Sequence, residues 1–164
     1  MSFDLKKALN DWAEKQLASM GVSREKISYL EKIKQKMIDD LSRLYSEKGL
    51  ELYFNPVKMR KMKPSNGFAR ISGPCGDTME VYLNIEDGMI RETSFQTDGC
   101  MPSIMSGGMA LMLAEGKSST EASQIGQVTI LEALGGLPEE SKHCALLASN
   151  TLRMAIENYL SSRG

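Results

Sequence analysis

The chain has 164 residues and is almost neutral, with 20 Lys and Arg against 21 Asp and Glu, which excludes the basic field that would draw it to nucleic acid or an anionic membrane. Its length fits one domain with an appended segment. A mean hydropathy of −0.28, no apolar run near the ~18 residues of a membrane span and no basic-then-apolar start argue against insertion or secretion, so the expected location is cytoplasmic.

From Phe3 to Met20, Leu5, Ala8, Leu9, Trp12, Ala13 and Leu17 recur at helical spacing, and Gly21 ends the element. Ser23 is the expected N-cap of a second helix, striped by Ile27, Leu30, Ile33, Met37, Leu41 and Leu44 and closed by Gly49. The two predict a helical hairpin with a solvated charged face. From Leu50 to Asn66 the pattern breaks into a connecting segment. It includes basic residues Lys58, Arg60, Lys61 and Lys63, whose alternative use is guidance of an acidic partner or a phosphate.

The period then changes to two. Phe68 to Ser72 reads as a short strand. Thr78 to Glu86 alternates, with Met79, Val81, Leu83 and Ile85 on one face. Asp87-Gly88 is a two-residue hairpin signal, and Met89 to Thr97 returns beside the preceding strand, giving a three-stranded antiparallel meander. After Cys100, Pro102 suits the first position of a helix with a core stripe of Ile104, Met105, Met109, Met112 and Leu113. Gly107-Gly108 allow close packing, and Gly116 stops it. Ser118 or Ser119 caps a short helix, Gln127 to Leu134 forms another, and Gly135-Gly136-Leu137-Pro138 is a turn. A last helix starts near Ser141, striped by Leu146, Leu147, Leu152, Ile156 and Leu160. The expected fold is therefore α+β: a meander sheet packed against several helices, with an N-terminal helical hairpin extension.

Three cysteines are too few for a disulfide framework and fit a reducing compartment. Each falls at a junction: Cys75 in Ser72-Gly73-Pro74-Cys75-Gly76-Asp77 between two strands, Cys100 after Asp98-Gly99 where a strand gives way to a helix, and Cys144 at the start of the last helix beside the single histidine, His143. Loops at element ends are where sites are built, whereas a structural cysteine more often falls on a core stripe. The helix starts at Cys100 and Cys144 favour thiolate through free N–H groups and the macrodipole. Asp77 and His143 add an oxygen and a nitrogen donor, which makes five candidates for a four-coordinate centre. No C-x-x-C occurs, so the spacing is neither that of a zinc finger nor that of a ferredoxin. A hard, exchangeable carboxylate among soft thiolates suits transient holding of iron or zinc.

The segments Gly73-Pro74-Cys75-Gly76-Asp77, Thr97-Asp98-Gly99-Cys100 and Lys142-His143-Cys144-Ala145-Leu146-Leu147-Ala148 resemble, in order and approximate spacing, the ligand motifs of the IscU/NifU-type iron–sulfur cluster assembly scaffolds. Tyr45-Ser46-Glu47-Lys48 and Tyr53-Phe54-Asn55-Pro56 resemble the start of that domain. The division this implies is an extension over 1–44 and a scaffold domain over 45–164. The resemblance further implies a binding protein without turnover of its own. A cysteine desulfurase would deliver persulfide sulfur to Cys144. Iron would join it, and a transient 2Fe-2S cluster would form on Cys75, Cys100 and Cys144, completed by Asp77 or His143, before leaving for a recipient apo-protein.

Tyr45 matches a tyrosine that such proteins associate with persulfide handling and dimer contacts, so a homodimer is an expected partner state. Its bland reading is a half-buried aromatic at a helix end. Of the Leu-Pro-Pro-Val-Lys chaperone motif in many bacterial members, only Leu137-Pro138 is kept. The family's zinc-dependent sulfur acceptors carry an insertion between the second and third cysteines and lack the histidine. Here His143 is present and the insertion is not, which favours a scaffold over the alternative, a zinc-bound sulfurtransferase that stimulates a desulfurase. A third reading, from another class, is a structural zinc module.

Overall fold

The computed structural model describes residues 4–21, 27–56 and 58–163. Helix α1 (Leu5–Met20) starts one residue after Asp4, whose carboxylate accepts the Lys7 N–H at 3.0 Å, and it is followed by α2 (Ile27–Leu44). The expected cap Ser23 lies outside the described residues. Gly49 does not close α2. The helix stops at Leu44, and Ser46, in extended conformation, caps a separate helix α3 (Glu47–Phe54) by accepting the Gly49 N–H at 3.0 Å. Gly49 is buried inside α3, where a Cβ would lie 3.2 Å from the Met105 sulfur, so its small size serves packing rather than termination. The expected connecting segment thus begins with helix.

Strands β1 (Gly67–Ser72), β2 (Thr78–Glu86) and β3 (Met89–Thr97) form an antiparallel sheet in the order β1-β2-β3. Asp87 and Gly88 both have positive φ, at 51° and 77°, the geometry of a tight hairpin whose twist matches its strands. Met79, Val81, Leu83 and Ile85 are buried together with Ile90 and Phe95 of β3. On the opposite face Tyr82 is also buried, beside the tilted Phe68 ring at 5.0 Å, and its hydroxyl donates to Glu80 at 2.5 Å.

The sheet packs against α4 (Met101–Ala114) and α7 (Lys142–Ser161), with α5 (Ser119–Ala122) and α6 (Gln127–Leu134) between them in the chain. Ser118 caps α5 through a reciprocal pair of bonds with Glu121. Helix α4 is buried nearly all round. At Gly107 an added Cβ would stand 2.7 Å from the Phe95 ring, so the absent side chain is what lets α4 approach β3. Met112, expected on the core stripe, is 41% exposed, as are Leu146 at 44% and Leu160 at 53% on α7. These helices bury small residues on their inner faces (Ala110, Ala145, Ala148, Ala155), which turns some of the large ones outward.

The basic connecting segment is partly spent on internal contacts: Lys58 pairs with Glu115 at 2.5 Å and Arg60 with Glu92 at 2.7 Å. Lys58 O also accepts the Phe95 N–H at 3.0 Å, covering part of the β3 edge. Leu5 of α1 and Leu41 of α2 pack against the core cluster, as does Tyr45 just after α2. Among the described residues no helix is long and apolar enough to cross a membrane.

Candidate metal centre

Three chain junctions meet at one end of the sheet. In the β1–β2 connection the Gly73 N–H donates to Asp77 O at 2.7 Å and the Gly76 N–H to Gly73 O at 3.0 Å, a turn that leaves Cys75 exposed at its tip. The β3–α4 connection is tied to it. Asp98 accepts the Thr78 N–H at 2.7 Å, and Thr97 Oγ1 donates to Thr78 O at 2.7 Å while accepting the Gly99 N–H at 3.0 Å.

Cys100 is the N-cap of α4 but makes no capping bond with its own side chain. Asp77 reaches across instead. Its Oδ2 accepts the Cys100 N–H at 3.3 Å and the Ser103 hydroxyl at 2.6 Å, an anion at the positive end of a helix. The approach requires glycine at 99, where a Cβ would stand 2.5 Å from Asp77 Oδ2 and 2.7 Å from Ser103 Cβ.

The third junction follows a single 3₁₀ turn, Glu139–Ser141, and is braced by Gln127 donating to Lys142 O at 2.9 Å and by the Lys142–Glu139 pair at 2.5 Å. Cys144, the third residue of α7, is fully buried, with its sulfur 3.6 Å from His143 Nε2.

Of the five expected site residues, Asp77, Cys100 and Cys144 have ligand atoms within 4.8 Å of one another. His143 touches that trio through Cys144, and Cys75 stands outside it, exposed on the turn that carries Asp77. All three thiols are free. Two cysteine sulfurs, a carboxylate and an adjoining imidazole and thiol are donors that suit tetrahedral zinc or thiolate-bound iron.

The electrostatics correct one expectation. The helix start was expected to favour thiolate at Cys144, yet burial pushes its pKa up to about 11, and the neighbouring Cys100 and Cys75 add to the rise. Desolvation of the charged sulfur outweighs the macrodipole, so without a metal this thiol holds its proton at neutral pH. Asp77 moves the other way. The Ser103 hydrogen bond, aided by the Cys100 N–H, holds its carboxyl below the usual range despite partial burial. Tyr45 is half-buried beside the cluster, its hydroxyl pKa raised by burial and by the charges of Cys100, Glu140 and Cys144.

Ser103 and Gly99 were not among the sequence candidates. The signal for Ser103 was its position three residues after the helix cap, one turn along the same face as Cys100.

The model of the NifU-like N terminal domain matches residues 44–164. The iron-sulfur cluster assembly scaffold protein IscU 1 of Archaeoglobus fulgidus is 38% identical over 122 residues, covering 74% of this chain and 80% of that protein. The scaffold protein IscU of Haemophilus influenzae is 35% identical, covering 73% and 98%. Among solved structures, the N-terminal part of a nitrogen-fixing NifU-like protein from Brucella abortus superposes with a TM-score of 0.58 over 76% of this chain and 98% of that one, at 19% identity.

Proposed function

The chain belongs to the NifU-like N-terminal domain family, and from that membership we propose that it is a scaffold on which iron–sulfur clusters are assembled for transfer to apo-proteins. The observation that carries the reading is the convergence of Asp77, Cys100 and Cys144 within 4.8 Å from three separate junctions. Cys75 and His143 complete the donor set around them. The protein binds and hands on its cargo and turns over no substrate of its own.

In this reading a cysteine desulfurase is the sulfur donor. The Cys144 sulfur attacks the outer sulfur of the donor's persulfide. One S–S bond breaks as another forms, and the donor cysteine leaves as thiolate, with no net change in oxidation state. Reduction of that sulfur to sulfide takes electrons from an outside donor. Because Cys144 holds its proton when metal-free, its use as nucleophile or ligand releases a proton, so metal loading and sulfur transfer are both favoured by rising pH. A 2Fe-2S cluster is the cargo that such a thiolate set with one carboxylate fits. The hard oxygen of Asp77 is the ligand soft iron–thiolate chemistry gives up most readily. His143, whose ring nitrogen lies 3.6 Å from the Cys144 sulfur, stands ready to replace it.

In this reading residues 1–44 form an extension to the scaffold domain at 45–164, and the protein acts in the cytoplasm. Along α2, Tyr29, Ile33, Met37 and Leu44 are 69%, 40%, 39% and 55% exposed on one ridge, which also carries exposed Lys36 and Asp40. We propose that a second copy of the chain covers this face, since a twofold antiparallel pairing of two such helices would bury the apolar ridge and could set Lys36 of each copy near Asp40 of the other.

Anaerobic addition of iron and sulfide to metal-free protein tests the main reading. An iron–sulfur charge-transfer spectrum that disappears in a Cys144→Ser variant supports it. Tight zinc that iron cannot displace, with desulfurase stimulation dependent on Cys144, would support the zinc-bound sulfur acceptor instead.

A further inference from the structure

Ser103 is fully buried, and its hydroxyl is not used as those of Ser149 and Thr151 are. Ser149 and Thr151 on α7 donate back to carbonyls of their own helix, to Leu146 O at 3.0 Å and Leu147 O at 2.7 Å, the ordinary arrangement for such side chains. Ser103 donates across to a different junction, to Asp77 Oδ2 at 2.6 Å, while its oxygen lies 3.8 Å from the Cys100 sulfur. The Cys100 N–H converges on the same Oδ2, and the glycine at 99, where a Cβ would stand 2.5 Å from that oxygen, leaves room for the carboxylate there. Both bonds therefore hold one oxygen of the carboxylate, and neither engages Oδ1.

We propose that Ser103 is a positioning residue for the metal site: it clamps Oδ2 of Asp77 so that the carboxylate presents Oδ1 alone, as a single-oxygen ligand, towards the sulfurs of Cys100 and Cys144. The proposal rests on the reading that Asp77 and the cysteines hold a metal. A carboxylate fixed at one oxygen is oriented before the ion arrives and is barred from closing on it with both oxygens. Outer hydrogen bonds of this kind typically change metal affinity by about 10–100-fold.

The test is anaerobic titration with Co2+ alone, read from its thiolate charge-transfer and d–d absorption, on the full chain and on Ser103→Ala, Asp77→Ala and the double variant. Ser103→Ala removes one oxygen and adds nothing to a buried position. The expected result is roughly tenfold weaker Co2+ binding in Ser103→Ala with altered d–d bands, and no further loss when the same change is made in Asp77→Ala. An unchanged affinity in Ser103→Ala overturns the proposal, as does an equal loss in both backgrounds or an Asp77→Ala protein that binds like the parent. No sulfide, iron or desulfurase is present, so a chain that never builds a cluster still reports on the clamp.

Discussion

The Asp77 carboxylate caps the Cys100 end of helix α4 from another part of the chain, accepting the Cys100 N–H at 3.3 Å. One bond thus joins two candidate ligands whose donor atoms also lie within 4.8 Å of each other and of the Cys144 sulfur. The capping role stabilises the metal-free fold, and in the proposed function the same side chain would serve as a ligand.

Asp77→Ala separates equilibrium grip from exchange. Loss of a donor weakens binding of a simple divalent ion, but transfer of a cluster depends on a ligand that lets go, and in the proposed function the carboxylate oxygen is that ligand. Cluster transfer from the reconstituted variant to an apo-ferredoxin is expected to slow, followed by the rise of ferredoxin absorption. Faster transfer would assign the exchangeable position to another residue.

Gly99→Ala forces a Cβ to within 2.5 Å of Asp77 Oδ2 and 2.7 Å of Ser103 Cβ. Overpacking on this scale costs about 1–3 kcal/mol, and the shift it compels moves Asp77 off the α4 terminus. Urea denaturation of the metal-free variant is expected to show that loss, and zinc affinity is expected to fall with it. A variant with parental stability and affinity would mean the turn relaxes without disturbing the site.

Much of this architecture was legible in the sequence because its signals are local. The alternation of Met79, Val81, Leu83 and Ile85 and the Asp87-Gly88 turn give the meander with the boundaries of β2 and β3 as observed. Helix α3 was missed because Gly49 reads as a terminator, whereas its lack of a side chain is needed against Met105 across the core. The exposed Met112 and Leu146 were misassigned for a related reason: the alanines that line the inner helix faces carry little hydrophobic signal. At the site, cysteines at Gly-framed junctions were readable, but Ser103 was not, since its role depends on a bond to Asp77 from a separate turn. The burial of Cys144, which reverses the thiolate expectation, likewise appears only once the helices are packed.

Glu115 supplies a pH test away from the metal site. Burial raises its carboxyl pKa, but bonds from Lys58 at 2.5 Å and from the Thr93 N–H and hydroxyl at 3.1 and 2.8 Å outweigh burial and hold it below the ordinary value. A lowered folded-state pKa means that the unfolded chain binds more protons on acidification. The contribution is full above the ordinary carboxylate value of 4.5 and is lost as pH falls through the folded value. Denaturation midpoints measured from neutral pH into the acid range are expected to fall less steeply for Glu115→Gln than for the parent. Parallel curves would remove Glu115 from the acid response.

The α2 ridge predicts self-association. Light scattering after gel filtration is expected to give twice the chain mass of 18.1 kDa for the parent and the single-chain mass for Ile33→Glu or Met37→Glu, with the metal site intact in all three. A parent that elutes at the single-chain mass across concentration would leave the ridge to a different partner.

The central claim is that the three junctions hold a cluster in order to give it away. The most direct measurement is transfer from anaerobically reconstituted protein to an apo-ferredoxin in the presence of a chelator that captures free iron. The account predicts that the ferredoxin acquires its cluster while the donor's absorption falls in step. A donor that takes up no cluster, or one whose iron goes to the chelator while the ferredoxin stays empty, would contradict it.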